Sequence, residues 1–235
     1  MPPRHRAHGL AILQGLSDDP RLILGAPGPA SASSGEHLDP PNRLRDSTML
    51  SIHSKPNDPN RIVDSQNLNQ SERWGQNSAY DAYGALNYLR TRHDIVADRI
   101  GLQGWSNGGG ASLATMSKTP PGIVSPTPSA GFRGALVFYP ACGLKGQFES
   151  GLAPYAPVRV FQGTADEEVS PHRCTELIEK CRALGGDITV TLYPNATHDF
   201  DDPGESRQSV QANADAKKDA VSRAIEFFAT VLNPR

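Results

Sequence analysis

A serine, an aspartate and a histidine follow one another in this chain, each at the predicted edge of a parallel sheet. Ser106 stands in Gly-Trp-Ser-Asn-Gly, between an apolar run and a run of small residues. This is the G-x-S-x-G form of a nucleophile elbow, a sharp turn between strand and helix that exposes the serine. Gly104 and Gly108 suit such a turn because a Cβ at either position would meet nearby backbone. The backbone N–H of Asn107 would face the same space as the Ser106 hydroxyl and supply one oxyanion-hole donor.

The acid that would serve this serine lies in a loop after a later strand. Taken alone, the pentapeptide equally fits a glycine-rich turn before an ordinary helix. In an enzyme with a nucleophile elbow, however, an acid and then a histidine follow the serine along the chain, each beyond its own strand. Asp166 lies just past the strand predicted over 158–162. We prefer it to Glu167 and Glu168, because Gly163 offers a turn that would re-aim it.

The histidine with the matching position is His198, which follows the strand predicted over 188–193. Three placements in the required order predict a Ser-Asp-His site. Ser106 would be the nucleophile and His198 the general base, while Asp166 would orient the histidine and stabilise its imidazolium.

Composition excludes several other classes of protein. The chain has 235 residues and a net charge of −2, which implies no nucleic-acid or anionic-membrane partner. No apolar run reaches membrane-spanning length, and the start lacks the apolar core of a secretory signal. Three cysteines are an odd number at no metal-ligand spacing, so we expect no disulfide, no metal site and a cytoplasmic location. Cys174 and Cys181 lie on one apolar helix stripe and are expected to be inert, reduced core thiols.

The chain divides by composition into two parts. All 15 aromatic residues lie at 74–235, and residues 1–73 are rich in Pro, Asn, Asp and Ser. A segment without large apolar side chains buries little surface. We therefore predict a poorly defined N-terminal segment over 1–73 and a catalytic domain over 74–235. Within the first part, 7–16 is expected to be a short helix and 21–25 a strand.

Strands and helices alternate through the second part, which predicts an α/β fold with a mostly parallel sheet and helices on both faces. Helical periodicity marks 76–91 and the C-terminal stretch ending near 231. A third helix would begin with Ser170 as N-cap and Pro171 at its first position, and end at Gly185. The remaining elements are expected at 107–118 for a helix, and at 135–139, 158–162 and 188–193 for strands.

With these residues located, the chain resembles the dienelactone hydrolase family of α/β-hydrolases over 74–232. The resemblance implies hydrolysis of carboxylic esters, or lactones, through an acyl-enzyme and without a cofactor or metal. It implies a small-molecule ester substrate, and we expect a monomer or homodimer. The stretches that carry it are Asp81-Ala-Tyr-Gly-Ala-Leu86, Asp98-Arg-Ile-Gly-Leu-Gln-Gly-Trp-Ser-Asn-Gly-Gly109, Phe138-Tyr-Pro140, Gly163-Thr-Ala-Asp166 and Tyr193-Pro194 with His198-Asp-Phe200.

Two departures from the family pattern bear on function. Dienelactone hydrolase itself uses a cysteine where this chain has Ser106, which favours a serine esterase. The family also has an early strand ending in His-Gly, whose loop supplies the second oxyanion N–H, and no apolar strand precedes the single His8-Gly9 pair. Either that strand is lost or replaced, or the Gly25–Gly28 loop substitutes. One missing donor lowers turnover by about two to three decades, so poor hydrolysis of unactivated alkyl esters is expected.

Two other functions stay open on sequence grounds. The stretches around Ser106 and Asp166 are also similar to the catalytic domain of prolyl-oligopeptidase-type peptidases, whose propeller domain does not fit in 235 residues. The aromatic-free N-terminal segment favours a third possibility, a truncated, non-catalytic hydrolase-like protein that binds a ligand or partner.

Overall fold

In the part of the chain that the structure describes, six parallel strands form one sheet, in the order β2-β1-β3-β4-β5-β6. The computed structural model describes residues 7–13, 47–52, 70–118, 127, 130–142 and 148–233, and the side chains from residue 79 onward. The strands are β1 (Ala7–Leu13), β2 (Ser47–Ile52), β3 (Ile95–Trp105), β4 (Ala135–Phe138), β5 (Val158–Gly163) and β6 (Ile188–Tyr193).

Helices cover both faces of this sheet, as the sequence predicts. The helices are α1 (Gln70–Thr91), α2 (Ser106–Met116), α3 (Pro171–Ala183), α4 (Glu205–Gln208) and α5 (Gln211–Val231). One core cluster joins the inner faces of α1, α2 and α3 to the sheet, and a second joins α5 to the opposite face. Side chains of β4 show the alternation: Ala135 and Val137 enter the first cluster, and Leu136 and Phe138 the second. The fold class predicted from the sequence is confirmed.

The N-terminal part contributes two strands, which the sequence did not predict. Residues 7–13 form β1 rather than a helix, and β1 lies between β2 and β3. The reason is that the short apolar run Leu10–Leu13 fits a parallel strand with neighbours on both sides as well as a helix turn. The predicted strand at 21–25 lies outside the described residues. The proposed boundary after residue 73 falls inside α1, and the division into two parts stays a prediction.

Other elements begin and end close to their predicted positions. Ser170 caps α3 by accepting a hydrogen bond from the backbone N–H of Arg173, and Gly185 leaves the helix at φ 77°. The largest shift concerns α1, which begins at Gln70, six residues before its predicted start at 76.

The expectation for Cys174 is wrong. Its sulfur is bonded to that of Cys142, and the two Cα atoms are 4.9 Å apart. The sequence pattern does place Cys174 and Cys181 on the buried face of α3, and Cys181 is free and buried. What it misses is that the chain leaving β4 meets the first turn of α3. Because the cytoplasmic expectation rested on unpaired cysteines, the disulfide removes its basis.

The strand order reverses between β1 and β3. The chain passes from β1 outward to β2, then crosses through α1 to β3 on the other side of β1. Ligands of open α/β sheets bind at the carboxyl ends of strands where the order reverses in this way. Ser106 follows the carboxyl end of β3 directly. No helix in the described ranges is both long and apolar enough to cross a membrane.

Candidate active site

Ser106 stands on a strained turn between β3 and α2. Its φ is 49°, in the left-handed region that residues with a Cβ rarely adopt. A Cβ added at Gly104 would overlap the carbonyl oxygen of Gly108, so the two motif glycines approach each other as closely as an elbow demands. The helix after the serine packs just as closely, because a Cβ at Gly109 would lie 3.0 Å from the carbonyl oxygen of Phe138.

The structure brings Ser106, His198 and Asp166 into one hydrogen-bonded line. Nε2 of His198 lies 3.1 Å from Oγ of Ser106, and Nδ1 lies 2.9 Å from Oδ2 of Asp166. The side chains of His198 and Asp166 are only 2% and 0% exposed. We assign the proton to Nδ1, because a carboxylate can only accept it. Nε2 is then free to accept the proton of the serine hydroxyl.

Three donors besides the histidine hold the Asp166 carboxylate in place. The Nε2 amide of Gln162 donates to Oδ2 at 2.8 Å, and the backbone N–H groups of Glu168 and Val169 donate to Oδ1 at 2.9 Å. Burial acts to raise the pKa of Asp166, but these hydrogen bonds and the one with His198 lower it below its usual value. The carboxylate is therefore ionised at neutral pH.

Gly163 matters for a different reason from the one the sequence suggested. It is the last residue of β5, not a turn residue, and a Cβ there would overlap the carbonyl oxygen of Ala196. The backbone N–H of Ala165 donates to that same oxygen at 3.0 Å. The loop that carries Asp166 thus lies directly on the loop that carries His198.

The side chain of Glu167 binds the backbone of the loop that carries His198. Its Oε2 accepts a hydrogen bond from the backbone N–H of His198 at 2.9 Å, and its Oε1 accepts one from Arg207 at 2.8 Å. Burial acts to raise the pKa of Glu167, but the hydrogen bonds from Arg207 and His198 outweigh it and lower the pKa to about 2. Asn213 completes the support by accepting from the backbone N–H of Thr197 at 2.9 Å.

Two further carboxylates lie near Nε2 of the His198 imidazole. Oε2 of Glu168 lies 3.5 Å from Nε2 of His198, and Oδ1 of Asp199 lies 3.9 Å from it. Burial acts to lower the pKa of His198, but Asp166 and then the charges of Asp199 and Glu168 raise it above its ordinary value. In the described residues, Glu168, His198 and Asp199 are the one group whose ligand atoms lie close enough for a metal ion. Exposed acids are common without one, and the expected absence of a metal stays a prediction.

The predicted oxyanion donor lies at the start of α2. Asn107 is the second residue of this helix. The N-cap residue, Trp105, makes no capping hydrogen bond with its side chain. A strand does lie beside β3 at the elbow, since Leu13 at the end of β1 pairs with Gly104. His8-Gly9 lies near the start of this strand rather than at its end. The Gly25–Gly28 loop lies outside the described residues.

A sequence comparison places these residues in a family. The model of the dienelactone hydrolase family matches residues 48–232. The chain belongs to the dienelactone hydrolase family. It is therefore a carboxylic-ester hydrolase, and the match begins earlier than residue 74, where the resemblance in the sequence begins. No curated protein sequence matches the chain significantly.

Solved structures agree on the fold of this family member. The apo form of Thermogutta terrifontis esterase 2 has a TM-score of 0.62 at 16% identity, covering 99% of this chain and 87% of that chain. The propionate-bound form of the same esterase has a TM-score of 0.59 at 15% identity, with the same coverage. The form phosphorylated by paraoxon has a TM-score of 0.55 at 16% identity, covering 94% and 85%.

Sequence reasoning missed several residues that support the site of this hydrolase. Gln162 is a polar residue, fully buried, in an apolar strand, and that contrast was a usable signal. Glu167 entered only as a competitor of Asp166, whereas it holds the His198 backbone instead. Arg207 gave no signal, because its contact with Glu167 joins residues 40 positions apart.

Proposed function

We propose that this hydrolase cleaves carboxylic esters through an acyl-enzyme formed on Ser106. The observation that carries the proposal is the hydrogen-bonded line from Ser106 Oγ through His198 to Asp166, with both partners of the serine buried. A serine hydroxyl is a weak nucleophile unless a base takes its proton as it attacks. His198 Nε2 is the base within reach.

In the first half of the reaction, Ser106 Oγ attacks the ester carbonyl carbon while its proton moves to Nε2 of His198. The carbonyl oxygen becomes an oxyanion, which the backbone N–H of Asn107 binds. When the tetrahedral intermediate collapses, the bond to the leaving oxygen breaks. That oxygen takes the proton from Nε2 and departs as an alcohol, leaving the acyl group on Ser106.

In the second half, water attacks the acyl carbon and gives its proton to Nε2 of His198. The bond between Ser106 and the acyl carbon then breaks, the proton returns to Oγ, and the carboxylic acid leaves. Through both halves, Asp166 keeps the proton of the imidazole on Nδ1 and stabilises the imidazolium. No cofactor is needed for either step.

A reagent already known for a structural neighbour suggests a chemical probe. Thermogutta terrifontis esterase 2 is phosphorylated by paraoxon. We expect paraoxon to phosphorylate this chain at Ser106, because an organophosphate traps a serine that a neighbouring base activates.

Variants of the three residues test the proposal. With p-nitrophenyl acetate, kcat of Ser106→Ala and His198→Ala is expected to fall by about four to six decades, as in other serine hydrolases. Asp166→Asn is expected to lose about two to four decades. Ser112→Ala removes another serine hydroxyl from α2 that does not contact His198 and serves as the matched control. Turnover by Ser106→Ala near the wild-type level would refute the proposal.

The leaving group of the substrate distinguishes an esterase from the alternative, a peptidase. We expect p-nitrophenyl acetate to be hydrolysed. Prolyl or alanyl p-nitroanilides should be hydrolysed at least about a hundredfold more slowly, since an amine is the poorer leaving group. Equal rates on both would favour a peptidase.

A further inference from the structure

Asp201 is a buried carboxylate that the reaction above does not use. It lies three residues past His198 and is 8% exposed. Its Oδ2 accepts a hydrogen bond from the indole Nε1–H of Trp105, and its Oδ1 accepts one from the hydroxyl of Tyr139, both at 2.7 Å. Such a carboxylate in a protein interior is costly unless its partners are well placed, which raises the question of what it does there.

The two donors belong to different segments that end at the active site. Trp105 is the last residue of β3 and directly precedes Ser106, whereas Tyr139 directly follows β4. Tyr139 has φ 33°, a strained conformation, and its backbone N–H donates to the carbonyl oxygen of Phe161 at 2.7 Å. Asp201 therefore connects the elbow, the end of β4 and the histidine loop.

The ring of Tyr139 also touches the imidazole. The centroids of the Tyr139 and His198 rings are 4.5 Å apart, with the planes inclined at 59°. Tyr139 is 2% exposed, and Phe200 packs on its ring with centroids 5.5 Å apart. Because the surroundings are tightly packed, the position of the tyrosine ring sets one wall of the space that the imidazole occupies.

We infer that Asp201 is a positioning residue for the ester hydrolysis proposed above, on which this inference rests. Its bond to Trp105 fixes the end of the strand that presents Ser106. Its bond to Tyr139 fixes the ring against which His198 packs. Together they keep Nε2 of His198 at 3.1 Å from Oγ of Ser106. A misplacement of about 1 Å between such groups costs about a hundredfold in rate.

Three substitutions distinguish an effect of Asp201 on the positions of Ser106 and His198 from an effect of its charge and from a loss of protein stability. Asp201→Ala removes both acceptors. Asp201→Asn keeps both hydrogen bonds without the charge, because its carbonyl accepts from Trp105 and its amide donates to the Tyr139 hydroxyl oxygen. Tyr139→Phe removes one hydroxyl and leaves the ring on His198. Asp202→Ala is the matched control, since Asp202 is the next acid in the chain and its side chain instead accepts a hydrogen bond from the backbone N–H of Gly204.

The measurement is kcat and KM for p-nitrophenyl acetate, with circular dichroism establishing that each variant is folded. Asp201→Ala is expected to lower kcat roughly 30- to 100-fold with KM within about twofold. Asp201→Asn is expected to recover kcat to within about fivefold of wild type, and Tyr139→Phe to lose about five- to tenfold. The double variant Tyr139→Phe/Asp201→Ala is expected to be no slower than Asp201→Ala, because both changes break the same bond.

A folded Asp201→Ala with wild-type kcat would overturn the inference, as would losses that multiply in the double variant. An Asp201→Asn as slow as Asp201→Ala would also overturn it, since charge rather than position would then be at work. If Asp201→Ala does not fold, Tyr139→Phe decides: wild-type kcat overturns the inference, and the stated loss supports it. Ser106→Ala is measured alongside. If it stays active, the proposed function fails; if it is inactive while the Asp201 series is unaffected, only the positioning role fails.

Discussion

The carboxylate of Glu167 accepts a hydrogen bond from the backbone N–H of His198 at 2.9 Å. It stands between two other acids with different positions around the same histidine. Asp166 binds the imidazole Nδ1, and Glu168 stands 3.5 Å from Nε2. Three consecutive acids after β5 thus contact one residue in three ways.

Removing the carboxylate of Glu167 should loosen the histidine loop. Glu167→Ala is expected to lower kcat by about three- to tenfold, because a hydrogen bond to a half-exposed carboxylate contributes about 0.5–1.5 kcal/mol. Glu167→Gln keeps an acceptor for the His198 N–H and should lose less than Glu167→Ala. Steady-state kinetics with p-nitrophenyl acetate check this, with Glu179→Ala, an exposed acid on α3, as the control. Equal losses in Glu167→Gln and Glu167→Ala would show that the pairing with Arg207, not the backbone bond, matters.

The pH dependence of activity should report the charges around His198. In the proposed mechanism only unprotonated His198 accepts the serine proton, so we expect kcat/KM to fall as the pH drops through the pKa of this histidine. Asp166, Asp199 and Glu168 raise that pKa, and the fall should therefore begin above the ordinary histidine value of 6.5.

Neutralising the exposed acids lowers the pKa of His198 and should move the fall to lower pH. For Glu168→Gln or Asp199→Asn, we expect a displacement of roughly 0.2 to 0.7 pH unit, because an exposed ion pair contributes about 0.2–1 kcal/mol. The displacement should shrink at high salt. An unchanged profile in the double variant, with Glu179→Gln as control, would contradict the assignment of the profile to His198.

The same two acids should select among leaving groups. In the proposed mechanism the leaving oxygen takes its proton from Nε2 of His198 and so departs within a few ångströms of Glu168 and Asp199. Phenyl acetates carrying a trimethylammonium, a tert-butyl or a sulfonate substituent differ mainly in charge. We expect kcat/KM to decrease in that order relative to the chemical reactivity of each ester. In the Glu168→Gln/Asp199→Asn variant, the ratio of cationic to anionic ester should fall by about three- to tenfold. A ratio that does not change would contradict the prediction.

The Cys142–Cys174 bond should be visible in the native protein. Peptide mapping without reductant is expected to find these two cysteines linked and Cys181 alkylated only after unfolding, because Cys181 is buried. The bond closes a loop with a sequence separation of 32. Cys142→Ala should therefore lower stability by about 3–4 kcal/mol and Tm by roughly 5 to 15 °C. Alkylation of all three cysteines in native, unreduced protein would contradict the pairing.

Strands β4, β5 and β6 could be predicted from the sequence because each is a short apolar run between turn residues. The positions of Asp166 and His198 followed from that, since parallel strands carry their following loops to the same edge. Local pattern was sufficient wherever one element determines its own boundaries, as with Ser170 and Gly185 around α3.

What the sequence did not reveal depends on contacts between distant segments. The run in residues 7–13 fits a helix or a strand, and only its place between β2 and β3 decides. Cys142 pairs with Cys174 because the end of β4 meets the start of α3. Asp201 looks like one of several acids after His198, and its contacts with Trp105 and Tyr139 join residues 96 and 62 positions apart.

Active-site labelling tests whether Ser106 is the nucleophile. The protein is treated with a fluorophosphonate, digested, and the modified residue located by tandem mass spectrometry. We expect one equivalent of label per chain, all of it on Ser106. We also expect no label on Ser106→Ala, full labelling of Ser112→Ala, and greatly slowed labelling of His198→Ala. Stoichiometric label on any other residue, or ester hydrolysis that persists in Ser106→Ala, would show that Ser106 is not the nucleophile.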